Sequence, residues 1–171
     1  MESHEIFKSN HTTKRFSQAP IDEAKIKTLT SAIRSCHSMD NRQPWKVIFV
    51  RDEETKRNLS AVCSSNKLLL EAPLVAVICG IPDDAYPTLG GYLNSFSVDA
   101  GILIGRIALV ASQLGMQTEW IFSFREERIR EIVKAPDECR IVSLSPLGTP
   151  SELSSLPPAK PLQELVNYDQ F

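Results

Sequence analysis

Five consecutive residues, Asn41-Arg42-Gln43-Pro44-Trp45, carry side chains well suited to binding a small polar molecule. Asparagine and glutamine each offer hydrogen-bond donors and acceptors, which suits the edge of a heterocycle or a polyol chain. Pro44 restricts the backbone, so a rigid loop would present these groups. The alternative is an ordinary loop between a helix and a strand, and this segment by itself does not decide between the two.

The cysteines and histidines are not spaced for metal binding. Cys36, Cys63, Cys79 and Cys139 form no C-x-x-C pair, and the three histidines are scattered in the first 37 residues. Cys79 ends an apolar run, which is typical of a thiol that packs in a core. We therefore expect no metal site.

Length and charge favour one ordinary globular domain over residues 1–171. The 171 residues have a formal net charge of −2, so neither nucleic acid nor an anionic membrane is an expected partner. The start lacks the basic and apolar regions of a signal peptide. The apolar stretch Ile102–Leu114 is short for a membrane span and contains Arg106. We expect a cytoplasmic protein.

Hydrophobic periodicity predicts alternating helices and strands, with a central strand in the continuous apolar run after Pro73. The predicted strands are Trp45–Val50, Leu74–Cys79, Gln117–Phe122 and Arg140–Leu147, and the predicted helices are Ile21–Arg34, Asp52–Cys63, Asn94–Leu114 and Arg125–Lys134. Such a mixture indicates an α+β layered fold.

The predicted helix Asn94–Leu114 is apolar on nearly every face, which indicates burial in a core or between subunits. The chain becomes rich in proline from Ser151 onward. The prolines are expected to prevent regular structure there, except for a short helix at Leu162–Asn167. This proline-rich tail, residues 151–171, either wraps a partner subunit or is a loosely docked terminus.

The segment Ser38-Met39-Asp40-Asn41-Arg42-Gln43-Pro44-Trp45 resembles the Ser-x-x-Asn-x-Gln-Pro-Trp segment of the FMN-dependent nitroreductase family. Four further segments are similar to that family in the same order. They are Asn10–Phe16, the long helix from Asp99 to Leu114-Gly115-Met116 followed by Trp120-Ile121, Leu147–Pro150, and Lys160–Val166. The resemblance extends over nearly the whole chain.

The resemblance implies a nitroreductase-like layered fold with a central, mainly antiparallel sheet flanked by helices, in an intertwined homodimer. It implies FMN sites built from both subunits. NAD(P)H would reduce the flavin, which would then reduce a small acceptor such as a nitroaromatic or a quinone. The flavin carries this chemistry, so no catalytic acid–base pair of side chains is required.

The resemblance also assigns residues to the cofactor. Asn10, His11, Thr12 and Lys14 would face the phosphate and ribityl chain, and Lys14 would also approach the pyrimidine edge of the ring. The other expected contacts are Ser38, Met39 and Asn41 from the neighbouring subunit, backbone groups of Phe122 and Ser123 near flavin N5, Pro146, Leu147 and Gly148, and Lys160. Asn66 is either a further contact or the cap of a helix.

Some positions depart from the family pattern. Asn10 and Ala159 stand where the family has arginines, and a buried phosphate needs cations or oriented N–H groups nearby. Lys14, Arg15 and Lys160 remain to supply the charge. Two hypotheses follow. One is an FMN-dependent NAD(P)H oxidoreductase, and the other is a non-catalytic homodimer that binds flavin or another small ligand through a decayed phosphate site.

Overall fold

The computed structural model describes residues 12–155 and 158–171. The strands in these residues are β1 (Thr12–Phe16), β2 (Trp45–Val50), β3 (Leu74–Gly80), β4 (Gln117–Thr118), β5 (Arg140–Gly148) and β6 (Pro150–Ser154). The α-helices are α1 (Glu23–Arg34), α2 (Glu53–Val62), α3 (Lys67–Glu71), α4 (Phe96–Gln113) and α5 (Glu126–Val133). Short 3-10 turns cover Met39–Asn41 and Leu162–Glu164.

Strand β3 lies inside a four-stranded antiparallel sheet with the order β2-β3-β5-β4, and all of its residues are buried. Successive side chains of a strand point to opposite faces. Ala76 and Ile78 therefore enter the core beneath α1 and α4, while Val75 and Val77 enter the core beneath α2 and α5. This arrangement confirms the α+β layered fold with an antiparallel sheet flanked by helices.

Capping residues decide where the first two helices begin. The side chain of Asp22 accepts a hydrogen bond from Ala24 N at 2.8 Å, so α1 begins at Glu23 rather than at the predicted Ile21. Asp52 accepts one from Thr55 N at 2.8 Å and likewise lies just outside α2. An N-cap residue has a non-helical backbone, so the helix begins one position later.

The expectation that prolines prevent regular structure from Ser151 onward was wrong. Residues Pro150–Ser154 form β6, which pairs antiparallel with β1, a strand that the periodicity did not predict. Pro150 is the first residue of β6, a position where a strand tolerates proline. The two-stranded ribbon joins distant parts of the chain, and Thr12 lies opposite Ser154.

Two other predicted elements are shorter in the structure. Only Gln117–Thr118 of the predicted strand Gln117–Phe122 pairs continuously with β5, and Ile121 makes an isolated bridge to Leu144. The strand is interrupted at Glu119, whose carboxyl accepts a hydrogen bond from the backbone of Thr13 on β1 instead. The predicted C-terminal helix is a single 3-10 turn, Leu162–Glu164, which follows Pro161.

Helix α4 is buried on one side and open on the other within a single chain. By length and composition it could cross a membrane, yet in this fold it packs on α1 and β3. Leu103, Ile104 and Ile107 belong to the core, whereas Val98 and Ile102 are 41% and 48% exposed. The core of one chain therefore buries one side of α4, and burial of the other side between subunits stays a prediction.

Close packing around Gly148 generates a stability prediction. A Cβ atom at this position would lie 2.7 Å from Pro73 Cδ and 3.1 Å from Phe16 Cδ1. Gly148→Ala should lower the free energy of unfolding by about 1–3 kcal/mol, because the added methyl group overpacks the core. Urea denaturation measures this, with the exposed neighbour substitution Thr149→Ala as control. Equal unfolding free energies for Gly148→Ala and wild type would contradict the packing.

Candidate functional site

The loop from Ser38 to Gln43 has an unusual backbone. Asp40, Asn41 and Gln43 have φ angles of 50°, 53° and 50°, in the left-handed region that residues other than glycine seldom adopt. Each such residue costs of order 1 kcal/mol or more and persists only where neighbouring groups fix it. Strained backbone of this kind is concentrated at binding and active sites, so the loop is a candidate binding surface.

Side chains within the loop fix its shape. Ser38 Oγ accepts a hydrogen bond from Gln43 N at 2.7 Å. Gln43 Nε2 donates to the carbonyl oxygens of Arg34, at 2.8 Å, and Cys36, at the end of α1. The polar groups of Ser38 and Gln43 are therefore engaged in holding the loop against α1.

Met39 and Asn41 stand at the outer surface of this loop. Met39 is 39% exposed, and Asn41 is exposed as well. Within residues 12–155 and 158–171, the Asn41 side chain makes no hydrogen bond, whereas Met39 N donates to Asp99 Oδ1 at 2.9 Å. The side chains of Met39 and Asn41 are thus available to a ligand.

Strand β1 presents the described part of the basic segment; Asn10 and His11 lie outside the described residues. Lys14 is exposed and forms an ion pair with Glu152 at 3.7 Å, and Arg15 pairs with Glu71 at 3.3 Å. Thr12 Oγ1 donates to Ser154 O at 3.4 Å. Two of the three cations expected at a phosphate, Lys14 and Arg15, are therefore already paired with carboxylates on the same chain.

Thr13 has two features that bear on binding. Its hydroxyl oxygen is buried and has no hydrogen-bond partner among residues 12–155 and 158–171, which is uncommon for a buried polar group. Its backbone N–H donates to the half-buried carboxyl of Glu119. Burial raises the pKa of Glu119 above the usual value, and the hydrogen bond from Thr13 opposes that rise. Glu119 was not among the residues predicted for the site.

The segment after Glu119 is open to solvent. Phe122 is 58% exposed, and Ser123 is exposed beside it. Lys160 is exposed on the tail. No hydrogen bond or ion pair between described residues connects Phe122, Ser123 or β1 with the loop Ser38–Gln43. One chain therefore carries two separate groups of the residues predicted for the site.

The remaining predicted residues have structural roles within the chain. Asn66 Oδ1 accepts a hydrogen bond from Leu68 N at 3.0 Å and caps α3, which is the alternative role that the sequence left open. Pro146, Leu147 and Gly148 are buried in β5, where Pro146 lies opposite Val75. The side chains of Pro146 and Leu147 are buried, and Gly148 lies close to Pro73 and Phe16.

Comparison with known proteins identifies the family. The model of the nitroreductase family matches residues 8–81. A protein of Archaeoglobus fulgidus named as an NADH dehydrogenase/NAD(P)H nitroreductase is 30% identical over 142 residues, covering 80% of this chain and 79% of that protein. The chain belongs to the nitroreductase family.

Solved structures share the fold of this nitroreductase-family chain. The crystal structure of a nitroreductase family protein from Clostridium difficile 630 covers 100% of both chains with a TM-score of 0.90 and 23% identity. The NADPH:FMN oxidoreductase of Vibrio harveyi covers 98% of this chain and 77% of its own, with a TM-score of 0.88 and 20% identity. At these identities the likeness concerns the fold alone.

A separate cavity of this nitroreductase-family chain contains none of the predicted site residues. It measures about 560 Å³ and lies between the edge strand β2 and the residues after α5, with Lys46, Cys79 and Cys139 in its wall. Burial raises the pKa of Cys79 to about 12 and also raises that of Cys139. Cys79 is a buried core residue, as its apolar surroundings in the sequence indicated.

The two carboxyls Glu119 and Glu126 should affect stability with opposite dependence on pH. The folded-state pKa of Glu119 is raised, so its contribution to stability is present below the ordinary value of 4.5 and is lost as pH rises through the folded pKa. Hydrogen bonds from Arg140 lower the pKa of Glu126, so its contribution is present above 4.5 and is lost as pH falls.

We therefore expect Glu119→Gln to gain stability relative to wild type as pH rises from below 4.5 to neutrality. Glu126→Gln should lose stability relative to wild type over the same interval, because it cannot form the charged hydrogen bond to Arg140. Thermal unfolding at several pH values measures both differences. A Glu119→Gln difference that is independent of pH would contradict the raised pKa.

Proposed function

We propose that the chain is an FMN-dependent oxidoreductase that uses NAD(P)H to reduce a nitroaromatic, a quinone or a similar small acceptor. The observation that carries this proposal is the relation to the Archaeoglobus fulgidus protein named for NAD(P)H nitroreductase activity, which extends over four-fifths of the chain. The Vibrio harveyi neighbour, named for FMN and NADPH, adds a likeness of fold. The proposed location is the cytoplasm.

A homodimer is part of this proposal. Val98 and Ile102 form an exposed apolar stripe on α4, and no atom lies near the positions where Gly101 and Gly105 would carry a Cβ. The described tail, 158–171, is exposed throughout and includes Leu162, Leu165, Val166, Tyr168 and Phe171. Contiguous exposed apolar surface indicates an interaction site. In the dimer, the tail would wrap the partner subunit.

The exposed groups fit FMN if two chains share each site. Asn41 has free donors and acceptors for the edge of the flavin ring, and Met39 supplies an apolar neighbour. The hydroxyl of Thr13 is buried in one chain and has no hydrogen-bond partner among the described residues, so it could pair with a polar group of the ligand. When bound, FMN would supply the electron transfer between NAD(P)H and the acceptor, and the protein residues would bind and orient it.

The phosphate would be held on the side of β1. Lys14 is paired with Glu152 on the surface, where ion pairs contribute little, so Lys14 can exchange the carboxylate for a phosphate. Asn10, His11 and Thr12 would contribute polar groups, and Lys160 a second cation from the tail. Phe122 and Ser123 would bring backbone groups to flavin N5. Pro146 and Gly148 would contribute through the backbone, since their side-chain positions are buried.

Purified protein tests the activity directly through its visible absorption spectrum and through bleaching by NADH or NADPH. We expect a flavin spectrum that bleaches with either nucleotide and recovers when a quinone or nitroaromatic is added. A non-catalytic ligand-binding homodimer is the second candidate, favoured by the engagement of Lys14 and Arg15 with carboxylates. A bound flavin that no nicotinamide nucleotide bleaches would support that candidate and contradict the oxidoreductase.

Asn41 generates a prediction on flavin affinity. Asn41→Ala should weaken FMN binding by about 1–2 kcal/mol, the usual effect of one lost polar contact. The unfolding free energy of the flavin-free protein should change little, because Asn41 is exposed. Fluorescence titration measures the affinity, with Asn66→Ala as control, since that residue caps α3. Unchanged FMN affinity in Asn41→Ala would limit Asn41 to a role in the loop.

The stripe on α4 generates a prediction on assembly. Ile102→Asp should shift the protein toward monomer, because it places a charge in an apolar contact. Ile104 and Ile107 lie in the core of one chain, so their replacement would test folding rather than assembly. Sedimentation at micromolar concentration distinguishes the states, with Thr28→Asp on the exposed face of α1 as control. A wild type that sediments as a folded monomer would contradict the dimer.

A further inference from the structure

Asp99 is a buried carboxylate in an otherwise apolar helix. It lies in the first turn of α4, is 2% exposed, and follows directly after Val98 of the exposed stripe. In the part of the chain that the structure describes, no lysine or arginine forms an ion pair with Asp99. Burying an unpaired charge is costly unless hydrogen bonds satisfy it. The hydrogen bonds of Asp99 must therefore account for the burial of its charge.

Both carboxylate oxygens of Asp99 accept hydrogen bonds. Oδ1 accepts one from Met39 N at 2.9 Å, which crosses 60 positions of the sequence. Oδ2 accepts one from Ser95 Oγ at 2.6 Å. Because Met39 N and this hydroxyl both donate, a group that only accepts fits between them. The first turn of a helix also favours a negative charge.

Ser95 extends this network to the segment between β3 and α4. Ser95 is fully buried, and its Oγ accepts a hydrogen bond from Tyr86 N at 2.9 Å. Ser95 N donates to Tyr86 O at 2.9 Å. Asp99 thereby connects the loop Ser38–Gln43 with the start of α4 and with the chain that leads into it.

The loop needs this connection because its conformation is strained. Ser38 and Gln43 fix the loop against α1 through their side chains. Among the described residues, the hydrogen bond from Met39 N to Asp99 fixes the loop to α4. Met39 immediately precedes Asp40 and Asn41, whose φ angles are left-handed. The loop is thus held between α1 and α4, so the positions of these two helices determine where the exposed Asn41 side chain lies.

We propose that Asp99 is a positioning residue that sets the geometry of the loop Ser38–Gln43 toward the flavin; this rests on the proposed function. Asp99 does not itself touch the ligand. It joins the binding loop to the helix whose exposed stripe, Val98 and Ile102, would contact the second subunit. The interface and the binding loop therefore form one rigid unit at the start of α4.

Hydrogen–deuterium exchange and FMN titration on the full-length protein test this role. Asp99→Ala removes both acceptors, so exchange in peptides covering residues 38–43 should rise and FMN should bind about tenfold more weakly. Asp99→Asn should lie between Asp99→Ala and wild type, because its amide oxygen can still accept from Met39 N. Ile26→Val removes one methylene from the core between α1 and α4 without removing the hydrogen bonds of Asp99, and it serves as the destabilised control.

The proposal requires wild-type exchange in the loop and wild-type FMN affinity in Ile26→Val. If Asp99→Ala does not fold, raised loop exchange and weakened FMN binding in Asp99→Asn support the proposal. Wild-type exchange and affinity in the Asp99 variants would overturn it, and so would an equal change in Ile26→Val. A wild type that binds no FMN contradicts the proposed function instead, and loop exchange then decides whether Asp99 fixes the loop.

Discussion

Burial of β3 on both faces is the constraint on which the other elements depend. Because its side chains alternate between two cores, helices must cover the sheet on each side. Helix α4 covers one side together with α1. Its core-facing residues complete the layer, while Val98 and Ile102 remain exposed in the single chain. The same helix therefore completes the core and leaves an apolar surface exposed, which we propose as the contact with a second copy.

The proposed binding surface follows from this layering. The loop Ser38–Gln43 connects α1 to β2, and its strained backbone is fixed by contacts to the two helices of one layer. Strand β1 lies in a separate ribbon with β6 and carries Lys14 and Thr13. Among the described residues, no hydrogen bond or ion pair joins these two groups within one chain, and we propose that a second copy completes the site.

The local sequence pattern predicted those helices and strands whose bounds are determined by their own residues. Strand β2 has the predicted bounds, and α1 differs only because Asp22 is its cap. The pairing of β1 with β6 could not be predicted from periodicity, since it joins Thr12 to Ser154. The cofactor residues came from the family resemblance. Periodicity could not show that Ser38 is engaged within its own loop or that Asn66 is a cap.

Asp99 and Glu119, which contact residues of the proposed site, were not predicted from the sequence, and the reason is the same for both. Asp99 accepts a hydrogen bond from the backbone N–H of Met39, and Glu119 accepts one from the backbone N–H of Thr13. Both donors lie far away in the sequence, and a backbone N–H cannot be recognised from residue types. The one available signal was a lone carboxylate in the apolar helix α4. Such a residue is costly to bury unless hydrogen bonds satisfy it, so its presence indicates a specific contact.

We propose above all that FMN is held between two copies of this chain. Sedimentation velocity followed through the visible absorbance of bound flavin tests it most directly, because it weighs only the species that carries the cofactor. We expect the flavin to sediment with a dimer of this chain, and each dimer to carry two FMN molecules. Flavin sedimenting with a single chain would contradict it.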